Sequence, residues 1–137
     1  MQTIFFYGLF MDETLLTDQG LHPEVVGPAV LPDYRIHIGE RATLLPVEWG
    51  RTYGMVMRLE DVEASALYAD PSVSEYVPET VRVELLDDGE PLDAVCYNLP
   101  ADLVDGTNPA YASRLARLVE SLGFDPDYVA EIDAFGA

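Results

Sequence analysis

The spacing of apolar and polar positions changes along the chain, and each change marks an element. Thr3, Ile4, Phe5, Phe6 and Tyr7 form a β-branched and aromatic run closed by Gly8, which reads as a buried strand. Residues 11–20 are mixed. Asp12 and Glu13 stand ahead of Leu15 and Leu16, so a turn of helix is expected there, ended by Gly20 and Pro23. Between residues 29 and 38 the period is two. Tyr34, Ile36 and Ile38 share one face while Arg35 and His37 share the other, as in a half-buried strand. Residues 42–45 predict a short strand closed by Pro46. Residues 51–59 predict another, in which Gly54 marks a bulge or the close approach of a second backbone. Residues 60–70 place Val62, Ala66 and Leu67 at helical spacing with acids at the start, where the helix dipole favours them, and Pro71 stops the helix. Residues 80–86 and 92–98 are strand-like, and Asp87, Asp88, Gly89 and Glu90 between them are the clearest hairpin signal in the chain.

The last third changes character. Asn108 and Pro109 read as a cap followed by a proline in the first turn. Tyr111, Leu115, Leu118, Val119 and Leu122 then fall on one helical face, which Gly123 ends, and Leu118 is expected to be core. Asp125 and Pro126 open a second short helix carrying Tyr128, Val129 and Ile132. This order lacks the strand–helix alternation of a doubly wound sheet. It predicts an α+β fold, a small, mostly antiparallel β-barrel-like sheet with peripheral helices, in a single domain over residues 1–137.

Composition narrows the functional classes. The 137 residues are 49% hydrophobic and 23% charged, as a globular chain is. Seven cations, all arginine, stand against 25 acids, for a net charge of −18. That charge excludes nucleic acid and anionic membrane surfaces as expected partners, and no apolar run is long enough to span a bilayer. The first residues show no basic, apolar leader pattern, so a cytoplasmic location is expected. The acidity itself reads first as compositional bias. Its one consequence for binding is that a pocket for a small acid must supply its own local donors.

Most catalytic constellations are missing. His22, His37 and Cys96 show no metal-ligand spacing, so neither a metal nor a cofactor is expected. No glycine-rich phosphate loop and no nucleophile elbow is present. Two stretches remain. In the first, Gly8 follows the first strand directly, between Tyr7 and Leu9–Phe10. Its neighbourhood reads either as an ordinary turn or as a nest of backbone N–H groups that binds an anion. The second is the acid-rich passage from Leu67 to Glu79. There Asp70, at a helix C-terminus, reads either as the start of the turn before Pro71 or as a functional acid with a raised pKa.

Taken in order, these features resemble the gamma-glutamylcyclotransferase-like (AIG2-like) family over nearly the whole chain. The resemblance is carried by the strand ending in Tyr7–Gly8, by Leu31 to Gly39 with Ala42 to Pro46, and by the strand around Gly54. It continues through the helix ending at Leu67, Tyr76, the Gly89 hairpin with Ala94 to Tyr97, and the closing helices from Asn108. The resemblance implies a small barrel with a cavity, in which backbone amides of a Tyr-Gly-Ser/Thr loop hold a γ-glutamyl ligand. It also implies a cofactor-free reaction. The α-amino group of the substrate attacks its own γ-carbonyl, a glutamate moves the proton, and 5-oxoproline and an amine leave. By this likeness Tyr7, Gly8, Leu9, Phe10 and Tyr76 are the expected ligand-binding residues. Leu9 stands where the family has Ser or Thr. Pro71 stands where it has the glutamate, four residues after Leu67, which leaves Asp70, Glu75 and Glu79 as the candidate acids. Two functions are expected from this. One is cyclisation of a γ-glutamyl amine or peptide. The other is a catalytically inactive relative that binds a small molecule or a protein.

Overall fold

The computed structural model describes residues 1–136. Five strands close into a barrel in the order β1 (Gln2–Phe6), β3 (Ala42–Leu59), β2 (Glu24–Ile38), β4 (Val77–Leu85) and β5 (Pro91–Asn98). Every pairing is antiparallel except the closing one, where β1 runs beside β5 with Ile4 opposite Val95. A short helix α1 (Glu13–Thr17) follows β1, and α2 (Asp61–Tyr68) links β3 to β4. The chain closes with α3 (Pro109–Ser121) and α4 (Pro126–Asp133). This is the α+β barrel with peripheral helices that the sequence predicts.

Strand β1 supplies the centre of the core. Ile4, Phe5 and Phe6 are all buried: β1 lies between two other strands of the closed barrel, and at these positions neither of its faces meets water. At Gly54 the two sequence readings resolve. The ladder continues through the residue, with Ala29 opposite it, so there is no bulge, and the Phe6 carbonyl and the Phe5 ring fill the space of a side chain.

The strands expected at residues 42–45 and 51–59 are one strand. Pro46 still faces Tyr34, residues 47–50 then leave the ladder, and Arg51 resumes it opposite Pro32. Across from the excursion, Asp33 is the odd residue on β2. Asp33 and Trp49 have left-handed φ values of 65° and 67°, and the Trp49 N–H donates to Asp33 Oδ1 at 3.2 Å. The ladder thus survives a segment whose local composition reads as a strand end.

Both helical stripes sit one step away from where the large apolar residues place them. In α2 the buried residues are Ala64 and Leu67, while Val62 is 75% exposed. In α3 they are Ala112, Leu115, Ala116 and Val119, with Tyr111, Leu118 and Leu122 only partly covered. The predicted N-terminus of α3 is present, with Asn108 Oδ1 accepting from the Tyr111 N–H at 3.0 Å. The core position of α3 is therefore Leu115. Leu115→Ala is expected to cost about 2–5 kcal/mol in urea unfolding. Leu118→Ala should cost clearly less, and equal costs would place the packing face of α3 elsewhere.

Candidate functional site

Antiparallel pairing brings the C-terminal ends of β1, β2 and β5 and the N-terminal ends of β3 and β4 to one end of the barrel. A cavity of about 460 Å³ lies there. Tyr7, Gly8, Leu9 and Phe10 enter it from the end of β1, Glu40, Arg41 and Ala42 from the β2–β3 turn, and Ser72, Val73 and Tyr76 from the passage after α2. Tyr97 of β5 and Asn108, Tyr111 and Arg114 at the start of α3 complete the wall. All five residues expected to bind ligand thus line one cavity.

The lining is mostly aromatic and mutually braced. Tyr68 stacks on Tyr97 with ring centroids 3.7 Å apart, and Phe10 stands edge-on to both Phe6 and Tyr68. The Tyr7 hydroxyl donates to the Tyr97 carbonyl at 2.7 Å, and the Tyr76 hydroxyl donates to the Ala42 carbonyl. Burial pushes the phenols of Tyr7 and Tyr68 well up, and that of Tyr76 up to about 12, so all three stay protonated donors near neutral pH.

Beyond Gly8 the chain makes a single 3₁₀ turn at Leu9–Met11, with the Met11 N–H returning to the Gly8 carbonyl at 3.0 Å. Tyr111 of α3 reaches into this turn. Its hydroxyl lies where a side chain on Gly8 would stand, 2.7 Å from a Cβ built there. Burial, then Tyr76, raises the Tyr111 phenol, while the Leu9 amide and the Arg114 charge oppose that rise.

The three candidate acids lie elsewhere. Asp70 Oδ1 accepts from the Ser72 N–H at 2.9 Å and the Ser72 hydroxyl at 2.7 Å, which starts the turn after α2 and holds the carboxyl below its usual range. That is the turn geometry, and its effect on the pKa is opposite to that expected of a proton-transferring acid. Glu75 pairs with Arg41 at 2.9 Å. Glu79 accepts from the Tyr34 hydroxyl at 2.9 Å and from Asn98 Nδ2 at 2.8 Å. None of the three lines the cavity, whose one acidic lining residue is Glu40. Cys96 is fully buried, its thiol pushed up to about 12 by burial, and His37 stands edge-on to Phe135. Among the described residues no group of three or more His, Cys, Asp or Glu could hold a metal ion, and no helix is long and apolar enough to cross a membrane.

No family model matches the chain, and no curated protein matches it. Solved structures do. Gamma-glutamyl cyclotransferase superimposes over 97% of this chain and 86% of its own, with a TM-score of 0.80 at 16% identity. The chain has the gamma-glutamyl cyclotransferase fold. YkqA from Bacillus subtilis matches 98% of this chain with a TM-score of 0.79 at 24% identity, and this chain spans 54% of it. An aig2-like protein from Mus musculus covers 81% of the chain and 82% of its own length, with a TM-score of 0.60 at 16% identity.

Within this cyclotransferase fold, sequence reasoning missed Glu40, Arg41, Asn108 and Arg114. Glu40 and Arg41 belong to a turn with no motif, and Arg114 belongs to the polar side of α3. One signal was available. Arg114 lies three residues after Tyr111, so the two side chains are neighbours on the helix surface.

Proposed function

We propose that this chain binds a small γ-glutamyl-type acid in the cavity beside Gly8 and does not turn it over at the rate of an ordinary cyclotransferase. The carrying observation is that Asp70, Glu75 and Glu79 are engaged with Ser72, Arg41, and Tyr34 and Asn98, outside the cavity. The cavity itself suits a small ligand. Its volume of about 460 Å³ falls within the usual range for such sites, and its aromatic walls carry a few convergent polar groups. Cyclisation asks more. The attacking ammonium must first lose a proton to a positioned base.

One observation favours a second reading. Glu40 lines the cavity, and its position is fixed by its backbone, whose N–H donates to the Asp105 carbonyl at 2.7 Å and whose carbonyl accepts from Asn108 Nδ2 at 3.1 Å. In that reading Glu40 takes the proton of the substrate amine.

Calorimetric titration with γ-glutamylmethylamide tests the binding reading. Saturable binding to the wild type is expected, lost in Gly8→Val, whose side chain would drive out the Tyr111 hydroxyl. Circular dichroism checks that the variant is folded. Absence of binding to the wild type at millimolar ligand refutes the binding reading, as does undiminished binding to a folded Gly8→Val.

A further inference from the structure

In the cavity just described, the turn after Gly8 is already covered from the α3 side. The Tyr111 hydroxyl lies over the Gly8 Cα, 2.7 Å from where a Cβ would stand. A carboxylate arriving at this turn would have to displace a phenol held by the first helical turn of α3. The anion must therefore find a donor elsewhere, in a chain of net charge −18 that repels anions at long range.

The arginines show where. Arg35, Arg41, Arg51, Arg58 and Arg82 are each paired with a carboxylate. Among the described residues Arg114 and Arg117 make no ion pair, and of these two Arg114 lines the cavity. Arg114 follows Tyr111 by three residues on α3, so the two side chains are neighbours on the helix surface, at the wall beside the Gly8 turn. Arg41, also on the wall, is held by Glu75 at 2.9 Å. Arg114, exposed at the cavity wall, thus supplies a planar set of donors for a charge-assisted, two-pronged contact with a carboxylate.

We propose that Arg114 is the residue that recognises the ligand carboxylate in this cavity, in place of the turn after Gly8 that the Tyr111 hydroxyl covers. The inference rests on the binding reading above and assigns the polar end of that site. The ligand class is a small carboxylic acid whose apolar or γ-glutamyl body lies among Phe10, Tyr68 and Tyr97.

The test compares two probes, γ-glutamylmethylamide with its free α-carboxylate and the same compound with that carboxyl converted to the primary amide. Each is titrated into the wild type, Arg114→Gln and Arg117→Gln. Arg117→Gln removes the same charge one turn further along α3, away from the cavity. The wild type should prefer the carboxylate probe by roughly tenfold or more, the usual worth of a charged hydrogen bond. Arg114→Gln should abolish that preference and Arg117→Gln should keep it. Added salt should erode the preference in the wild type. A preference retained in Arg114→Gln overturns the proposal, and so does its equal loss in Arg117→Gln. Equal binding of both probes to the wild type overturns it while leaving the cavity reading intact. No binding of either probe removes both.

Discussion

Gly54→Ala should destabilise the protein by about 1–3 kcal/mol or more, the usual range for forcing extra atoms into a packed core. An alanine Cβ at this position would collide with the Phe6 carbonyl oxygen and come within 2.7 Å of Cε1 and Cζ of the Phe5 ring. The ring can turn only at the expense of its buried neighbours, and the carbonyl belongs to the β1 backbone, whose register with β3 runs unbroken from Gln2 to Phe6. Relief therefore means sliding β1 as a unit. Because Gly8 lies two residues beyond Phe6, the same shift would disturb the cavity, so ligand affinity should fall along with stability. Urea unfolding gives the direct measure. A change within about 0.5 kcal/mol, typical of an indifferent surface site, would show that β1 moves freely against β3.

Parts of the fold set by local chemistry were legible in the sequence. Strand β1 follows from its β-branched and aromatic run, the β4–β5 hairpin from the acids and Gly89, which has φ of 71°, and the start of α3 from Asn108 and Pro109. Features decided by distant partners were not. Pro46 and Gly50 look like strand punctuation, yet pairing with β2 carries β3 through a four-residue excursion. The large residues of α3 suggest one stripe, whereas the buried face includes Ala112 and Ala116, whose small side chains carry little weight in such a pattern. Val62 misled for a related reason. An eight-residue helix has too few turns for periodicity alone to fix which face is covered.

The candidate site divides in the same way. The residues near Gly8 gather at the cavity because they follow directly from the end of β1, and Tyr76 joins them because it directly precedes β4. The polar groups come from a turn and from a helix start, segments far apart in the chain, and only the closed sheet brings them together. Proximity along the sequence pointed to acids near Pro71. Proximity in space brings Glu40, Arg41 and Arg114 instead.

Release of 5-oxoproline from γ-glutamyl amines and dipeptides is expected to remain residual in the wild-type protein. A positioned general base is commonly worth about 10²–10⁴-fold, and here the nucleophile is an ammonium that cannot attack before it loses a proton. Pro71 has no titratable group, and Asp70 is tied to Ser72 by two hydrogen bonds that stabilise its charged form and make it a weaker base. Glu75 would have to leave Arg41, and Glu79 would have to give up Tyr34 and Asn98. Asp70→Asn, Glu75→Gln and Glu79→Gln should therefore leave the residual rate unchanged. Glu40→Gln decides the remaining case, because Glu40 alone among these acids lines the cavity. If the wild type turns over strongly and Glu40→Gln abolishes this without loss of ligand binding, Glu40 is the base and the protein is an enzyme. Binding without release of 5-oxoproline, unaltered by any of the four changes, is what an occupied cavity lacking a proton acceptor must give.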